Sequence, residues 1–319
     1  MRIVILGYTG LIGKSILEYL SKDNSLHLIC VGRNIRKKPY KNPKIKYCRW
    51  DFNTFKKSNL LFLNKANMII NCVGKNVNTT NNFEKLNVIF IKNLLKYIDI
   101  SKSSIRLIHL SSVSVYDSSN KNFSSHKIIS ENSKIKPNDS YSKSKFNGDL
   151  LIQNSIKKNF NKNFSYTILR ISNVVGNSKN SNLFKFVLFS LKSGFWIKSY
   201  ENIIFNFIDV RDVVQAIILI INKLKISKNK IYILSDDFKQ SKMYETYQNL
   251  YKKKIIKIQV PISLIKFLIY FLPLPKKLLN FMLLISNRIF YSNRKIKHEL
   301  NFKANYSLHR IKFLNEKKV

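Results

Sequence analysis

The sequence predicts an α/β fold, in which a doubly wound parallel sheet is followed by a smaller, mostly helical C-terminal cap. Short and nearly continuous apolar runs alternate with amphipathic helical patterns along most of the chain. Apolar runs of this kind are typical of parallel strands that helices cover on both faces. After about residue 236 the strand patterns give way to helical ones. A chain of 319 residues is long enough for one large core or for two unequal ones.

The alternation of patterns also predicts where the individual elements lie. Strands are expected at 2–6, 26–31, 44–48, 67–73, 105–112, 165–171 and 230–234. Helices are expected at 13–22, 83–98, 140–158 and 211–223. Residues 1–173 would then form the sheet domain, to which segments near 203–235 return, and residues 174–202 and 236–319 would form the substrate-binding cap.

The glycine-rich turn after the first strand is the first motif with a chemical meaning. The stretch "GYTGLIGKSI" places Gly7, Gly10 and Gly13 between a predicted strand and a predicted helix. Glycines there permit a tight turn and the close approach of a pyrophosphate, which the N–H groups at the helix N-terminus bind. We therefore predict a Rossmann-type dinucleotide site formed by these three glycines together with Leu11 and Ile12.

The end of the second predicted strand bears on which dinucleotide binds. NAD is usually held there by an acidic residue that accepts hydrogen bonds from its ribose. The sequence has "VGRN" instead, with Arg33 and Asn34 and no acid. Because an arginine can pair with a 2′-phosphate that a carboxylate would repel, this position favours NADP(H) over NAD(H). Asp51, after the third strand, is placed either to reach the adenine edge or to remain a solvated loop residue.

The composition is strongly basic, with 57 lysines and arginines, 17 acidic residues and a formal net charge of +40. Such a charge would suit a nucleic acid or an anionic membrane. The lysines are spread along the whole chain among asparagines and isoleucines, however, so a general compositional bias explains them and nucleic acid is not favoured as a partner. A positive surface would still attract an anionic substrate such as a nucleotide.

The most apolar region of the chain, "PISLIKFLIYFLPLP" from Pro261, is interrupted by Lys266 and is too short to span a bilayer. We predict a cap helix there, with peripheral membrane contact as the alternative. The three cysteines form no C-x-x-C pair and the five histidines lack ligand spacing, so no metal site is predicted. The first strand, in "MRIVILG", begins without a signal-peptide pattern, and we expect a cytoplasmic protein.

Two further segments contribute polar groups. The fifth strand ends in "HLSSVSVYD" and brings Ser111 and Ser112 to the carboxyl edge of the sheet, where ligands bind in open α/β folds. In "DSYSKSKFNGD", Tyr141 precedes Lys145 by about one helical turn, so both side chains share a helix face. Tyr141 and Lys145 are either a proton-transfer pair or part of a solvated helix start, and the pair alone does not distinguish them.

Taken in order, these motifs resemble an extended short-chain dehydrogenase/reductase of the NAD-dependent epimerase/dehydratase family. The glycine loop, "NCVG", "LNVIFIKNLL", "SSVSVY", "SYSKSK", "LRISNVVG", "FIDVRDVVQAI" and the C-terminal "NRKIKHELNFKANYSL" all match along nearly the full length. The resemblance implies a catalytic triad of Ser112, Tyr141 and Lys145, with Val73 and Asn87 at the dinucleotide. One departure is Asp149, where the family usually has glutamate.

These residue types suit a reversible hydride transfer. A free tyrosine titrates near pH 10, and a neighbouring ammonium group favours its phenolate form. Tyr141 would then take the proton of a substrate alcohol, while Lys145 also binds the nicotinamide ribose and Ser112 hydrogen-bonds the developing carbonyl. Asn173 matches the family position that contacts a nucleotide-sugar diphosphate, whereas Arg211 and Arg294 are candidate diphosphate contacts by their charge only.

The residues after Ser112 reduce the number of reactions that the resemblance allows. Family dehydratases carry an Asp-Glu pair there, decarboxylases a glutamate and fucose synthase-like enzymes a cysteine, whereas this chain has Val113 and Ser114. The resemblance then leaves a 4-epimerase or a ketoreductase acting on a nucleotide sugar, with a UDP-sugar preferred, and it suggests a homodimer. Alternatives of other classes are a carbonyl reductase for non-sugar substrates and a non-catalytic scaffold that binds RNA or a membrane complex.

Overall fold

The computed structural model describes most of the chain. The described residues are 1–33, 35, 39–50, 63, 66–74, 83–101, 104–118, 127–157, 161–176, 193–199, 203–252, 256–273 and 288–306. Asp51, which was assigned to the dinucleotide site from the sequence, lies outside these ranges, as does Asn34.

The strands are short and most are buried. In chain order they are β1 (Arg2–Leu6), β2 (His27–Gly32), β3 (Ile45–Arg49), β4 (Met68–Asn71), β5 (Arg106–Ser112), β6 (Lys127–Ile129), β7 (Ser165–Ile171), β8 (Asn173–Val175), β9 (Phe195–Ser199), β10 (Ile204–Asp209), β11 (Lys230–Leu234), β12 (Asp236–Lys239), β13 (Ile256–Val260) and β14 (Ile289–Tyr291). The helices are α1 (Leu11–Leu20), α2 (Phe90–Ser101), α3 (Ser140–Lys157), α4 (Val210–Asn222), α5 (Gln240–Tyr251), α6 (Ile262–Phe271) and α7 (Arg294–Leu300).

Seven strands form one sheet in the order β11-β7-β5-β4-β1-β2-β3, and every adjacent pair is parallel. The chain builds outward from β1 in both directions, which makes the sheet doubly wound and confirms the predicted fold class. The strands lie close to their predicted positions because their apolar runs are covered on both faces. All four residues of β4 and all seven of β7 are buried.

Helices cover both faces of this sheet. Ile3 and Ile5 of β1 point into a core shared with α1 and α4, where Ile217 is fully buried. Val4 and Leu6 point into the opposite core, which is shared with α2 and α3. The alternation along one strand follows from the two-residue period of β structure. The first core also contains side chains from the C-terminal part of the chain, namely Ile296, Leu300 and Phe302.

Three smaller sheets complete the described structure. One has the order β12-β10-β8, and the other two are the parallel pairs β13–β9 and β14–β6. Of the segment 203–235, which was expected to return to the main sheet, α4 and β11 do so, whereas β10 lies in the three-stranded sheet. Conversely, residues 294–302 of the predicted cap pack against the main core. The division into a sheet domain and a cap stays a prediction in its details.

One buried acid holds the C-terminal segment in place. Asp212 of α4 is fully buried and accepts hydrogen bonds from the backbone N–H groups of Asn305 (2.8 Å) and Tyr306 (3.1 Å), so it fixes the C-terminal segment.

The three cysteines are free thiols. In the described part of the chain no group of residues could hold a metal ion, and no helix is both long and apolar enough to cross a membrane.

Candidate active site

The glycine loop between β1 and α1 adopts a conformation that only glycine accommodates. Gly7 has φ of +79°, in the left-handed region, and a Cβ there would lie 3.1 Å from the carbonyl carbon of Cys72. A Cβ on Gly13 would lie 2.3 Å from the carbonyl oxygen of Gly7 and 2.9 Å from the Cα of Tyr8. The loop therefore folds back tightly on the start of α1, and both glycines are required for that close approach.

The N-terminus of α1 is open to a ligand. Gly10 is the N-cap residue in an extended conformation, and no side chain caps the helix. The backbone N–H of Lys14 is bonded to the carbonyl of Gly10, so the N–H groups of Leu11, Ile12 and Gly13 belong to the first turn, which has no intrahelical acceptors. Uncapped N–H groups and the positive end of the helix dipole together suit a pyrophosphate.

The tight contact at Gly13 makes a testable prediction about stability. We expect Gly13→Ala to lower the free energy of unfolding by about 1–3 kcal/mol, because the new methyl group would overlap the backbone of Gly7 and Tyr8. Chemical denaturation of the ligand-free protein measures this change. Gly10→Ala is the matched control, since its Cβ would lie at an ordinary 3.4 Å from the Gly7 carbonyl oxygen. Equal losses in the two variants would contradict the prediction.

The predicted triad residues lie together at the carboxyl end of β5. Ser112 ends that strand, and its Oγ accepts a hydrogen bond of 3.2 Å from the N–H of Ser114. Tyr141 lies in the first turn of α3. Burial raises the pKa of the Tyr141 phenol, and the Ser112 side chain opposes this effect. The edge of the Phe83 ring packs on Tyr141 at 5.7 Å between ring centres.

Lys145 lies one helical turn after Tyr141 and is almost completely buried, with 5% of its surface exposed. Its Nζ donates a hydrogen bond of 3.1 Å to the carbonyl oxygen of Leu110. Burial lowers the pKa of the Lys145 ammonium to about 8, although the negative charge of Asp149 partly counteracts this shift. Among the described residues no carboxylate forms an ion pair with Lys145. The ammonium charge is thus directed at the site rather than neutralised by a direct partner.

Asn87 contacts α3, the helix that contains Tyr141 and Lys145. It lies in a π-helical turn, Lys85–Ile89, and its Nδ2 donates to Ser144 Oγ at 2.9 Å. A Cβ on Gly148 would lie 2.6 Å from the Asn87 carbonyl oxygen, so this glycine lets α3 approach closely. The Asn87 Oδ1 is buried without a hydrogen-bond partner.

Gly74 brings the chain after β4 close to Lys145 and Asn87. A Cβ on Gly74 would lie 2.9 Å from Lys145 Nζ and 3.8 Å from Asn87 Oδ1. A donor and an acceptor therefore lie on either side of a position where only glycine leaves them room. Together with the open N-terminus of α1, this arrangement fits a nicotinamide dinucleotide, whose ribose hydroxyls can bond to both groups.

A buried chain of polar residues lies behind the triad, and sequence reasoning missed it. Asn71 Oδ1 accepts from the N–H of Val73 at 3.0 Å, so its Nδ2 is the atom 2.9 Å from Nδ1 of His109. The His109 Nδ1 must then accept, which leaves the proton on Nε2. That Nε2 lies 3.8 Å from Asp149 Oδ1, and burial keeps the pKa of His109 well below its usual value. His109 is thus a neutral imidazole whose Nε2 lies near Asp149 without a hydrogen bond to it.

Asp149 is the centre of this network. Its Oδ2 accepts from Arg170 Nε at 3.0 Å, and both side chains are buried. The Arg170 guanidinium also donates to the hydroxyl of Tyr116 at 2.8 Å. Burial raises the pKa of the Asp149 carboxyl, while the positive charge of Arg170 favours the charged form. Its charge acts on Lys145 from the next turn of α3.

The other predicted contacts differ in how they are placed. Arg33 is exposed immediately after β2, at the rim of the sheet. Val73 is buried beside the Asn71 amide. Asn173 is exposed at the start of β8, where its Nδ2 donates to the Asn206 carbonyl oxygen at 3.1 Å. All three stay predicted ligand contacts.

The two arginines chosen for their charge have other surroundings. Arg211 forms a two-point ion pair with Asp209, at 2.8 and 3.0 Å, and stacks over the ring of Tyr306 at 4.0 Å. Arg294 lines a surface cavity of about 540 Å³ whose lining contains none of the triad residues. Their assignment to a substrate diphosphate stays a prediction, and their observed contacts do not favour it.

Comparison with known proteins agrees with this geometry. Residues 3–234 match the model of the NAD dependent epimerase/dehydratase family. A search of the curated proteins finds no match to the sequence. Among solved structures, UDP-glucuronic acid 4-epimerase from Bacillus cereus in complex with NAD is 16% identical, covers 97% of this chain and 94% of its own, and superposes with a TM-score of 0.70.

Two other solved structures show the same fold. The dTDP-glucose 4,6-dehydratase of Bacillus anthracis str. Ames, in complex with NAD, is 17% identical, with a TM-score of 0.70 and coverage of 97% of this chain and 93% of its own. A UDP-galactose 4-epimerase is 14% identical, with a TM-score of 0.67 and coverage of 97% and 95%. The chain belongs to the NAD dependent epimerase/dehydratase family.

Proposed function

We propose that this protein is an NAD-dependent 4-epimerase of UDP-sugars. The observation that carries the proposal is that the Ser112 side chain acts on the Tyr141 phenol, with the buried Lys145 ammonium one helical turn away. Ser112 ends β5, and α1 follows β1, so both belong to the carboxyl edge of the sheet. The UDP-sugar is suggested by structural neighbours that are named as UDP-glucuronic acid and UDP-galactose 4-epimerases.

The bound dinucleotide supplies a nicotinamide ring that accepts a hydride from the sugar and later returns it. Tyr141, as phenolate, takes the proton of the C4 hydroxyl as the C4–H bond breaks, so that a 4-keto sugar is formed. Ser112 donates a hydrogen bond to the keto oxygen, and the Lys145 ammonium stabilises the phenolate. After the keto sugar turns over, Tyr141 would give the proton back to the C4 oxygen, which completes the inversion at C4.

The residues after Ser112 favour epimerisation over dehydration. Elimination of water needs an additional acid and base beside the triad. Val113 and Ser114 occupy the positions that follow Ser112, and neither side chain titrates in the neutral range. Epimerisation needs only the three triad groups and the bound dinucleotide. This chain therefore supplies what epimerisation requires and does not supply a dehydratase pair at these two positions.

A panel of UDP-sugars tests the proposal. The purified protein is incubated with each sugar and NAD, and products are resolved by chromatography and by the proton coupling constants at C4. We expect interconversion of C4 epimers without net change in absorbance at 340 nm (the wavelength at which reduced nicotinamide absorbs). In a parallel incubation with NADPH and a 4-keto UDP-sugar, stoichiometric loss of NADPH would show a reductase instead. No turnover of any sugar would reject the proposal.

Arg33 supports a second candidate, a ketoreductase that draws on NADPH. It is exposed where β2 ends, and an arginine there can pair with a 2′-phosphate. If this candidate is right, Arg33→Ala weakens binding of NADPH by about tenfold or more, because a charge-assisted bond of about 1.5–3 kcal/mol is lost. Binding of NADH stays unchanged.

Fluorescence titration of both reduced dinucleotides measures this effect, with Lys14→Ala as a control that removes one positive charge elsewhere in the glycine-loop region. Equal affinity of the Arg33→Ala variant and the original protein for NADPH would remove the support for the second candidate and leave NAD as the expected dinucleotide.

A further inference from the structure

Helix α6 presents an apolar stripe to solvent. Leu264, Phe267 and Phe271 are 47%, 54% and 72% exposed, and they follow one another at intervals of three and four residues on one helix face. The two phenyl rings pack together with their centres 4.9 Å apart. Leu272, directly after the helix, is 46% exposed. Phenylalanine rings this exposed and adjacent usually mark a contact surface.

The strand that precedes α6 in the sequence also exposes large apolar side chains. Ile256 and Ile258 of β13 are 63% and 41% exposed, and as alternate residues of a strand they share one face. Phe195 of β9 is the register partner of Ile256 and is 44% exposed. Both elements around Pro261 therefore leave large apolar side chains uncovered.

The charge of this region indicates what covers these side chains. Residues 246–287 contain seven lysines and no aspartate or glutamate. A segment that exposes aromatic and aliphatic side chains and has only positive charges in its sequence is complementary to an anionic bilayer, which offers acyl chains and negative headgroups together. A second copy of the same face would bring like charges together, which opposes association through it.

We propose that α6 docks the protein on an anionic membrane surface, with Leu264, Phe267, Phe271 and Leu272 inserted at the boundary between headgroups and acyl chains. At ten residues α6 is about 15 Å long, so it lies in the plane of the interface rather than crossing it. The docking does not depend on the sugar or on the triad, and it would hold a cap segment against the bilayer while the glycine loop stays in the main sheet domain.

Vesicle sedimentation tests the proposal with the full-length protein. The probes are vesicles of equal parts phosphatidylcholine and phosphatidylglycerol, and vesicles of phosphatidylcholine alone. We expect at least about tenfold stronger partitioning to the anionic vesicles, and a weaker preference at high salt. The variant Phe267→Glu/Phe271→Glu is expected to lose about tenfold or more of its binding to anionic vesicles, because two inserted rings become charged.

The matched control is Tyr19→Glu/Ile226→Glu, which changes the charge equally at two other exposed apolar residues, 52% and 45% exposed. It should bind vesicles like the original protein. Thermal unfolding and light scattering are recorded for all three proteins. The proposal is overturned if the original protein binds neither vesicle, if the α6 variant binds as well as the control, or if the α6 variant only dissociates a homodimer and its vesicle binding is unchanged. Epimerase activity of the α6 variant is also measured, in detergent-free buffer. Because docking does not depend on the triad, the result for vesicle binding and the result for the proposed function can be told apart.

Discussion

Replacement of Tyr141 by phenylalanine should lower kcat by about 10²–10⁴-fold, the range that a positioned acid–base group contributes. The variant keeps the ring that packs against Phe83 but lacks the hydroxyl that would take up and return the proton. The loss should appear in kcat more than in KM, because the proton moves in the transition state and the ring contacts are kept. Turnover of the most active UDP-sugar, in either direction, measures the effect.

A second readout separates a chemical role from a structural one. Dinucleotide affinity and the free energy of unfolding should stay nearly unchanged in Tyr141→Phe, since the open helix N-terminus and the packing of α3 are retained. Tyr19→Phe, at an exposed tyrosine of α1, is the matched control and should have full activity. If Tyr141→Phe retains the activity of that control, Tyr141 is not the proton acceptor and the triad is only a structural cluster.

The main sheet was predictable because its strands are buried on both faces. A strand such as "SYTILRI" has no polar face to obscure its pattern, and β7 begins and ends where predicted. The proximity of Tyr141 and Lys145 was predictable for a related reason, since they are one turn apart on α3, and Ser112 ends a recognisable strand. Local periodicity decides these placements, whereas the catalytic roles of the three residues came from the family resemblance and stay a prediction.

The features that the sequence did not predict depend on contacts between distant parts of the chain. Asn71 and His109 meet across 38 positions because β4 and β5 are neighbours in the sheet. A lone histidine within an apolar strand was the available signal. Arg211 was proposed as a diphosphate contact from its positive charge, while the carboxylate that it contacts, on Asp209, is two residues away in the sequence. Charge alone gives no information about which partner a guanidinium finds.

The second large effect is expected at Asp149. Asp149→Asn should lower the free energy of unfolding by about 3–5 kcal/mol, because it leaves the buried Arg170 guanidinium without its counter-charge. Burial of the two side chains is nearly complete, so solvent cannot replace the lost partner. Denaturant titration measures the change. Asp149 differs from an exposed helix acid because its carboxylate accepts a hydrogen bond from Arg170 and lies 3.8 Å from His109 Nε2.

The pH dependence of activity distinguishes a positioning role of Asp149 from a purely structural one. Because burial lowers the pKa of Lys145 to about 8, the ammonium that stabilises the Tyr141 phenolate is lost as the pH rises through that value, and kcat/KM should fall there. The negative charge of Asp149 raises the pKa of Lys145. Asp149→Asn should therefore move the alkaline limb of the profile of kcat/KM against pH to a lower pH. Asp149→Glu, with the residue usual in the family, keeps the charge and should leave the limb in place even if the extra methylene costs about 1–3 kcal/mol of stability. Both variants losing stability without any movement of the limb would show that Asp149 holds Arg170 and α3 in place but does not tune the charge of Lys145.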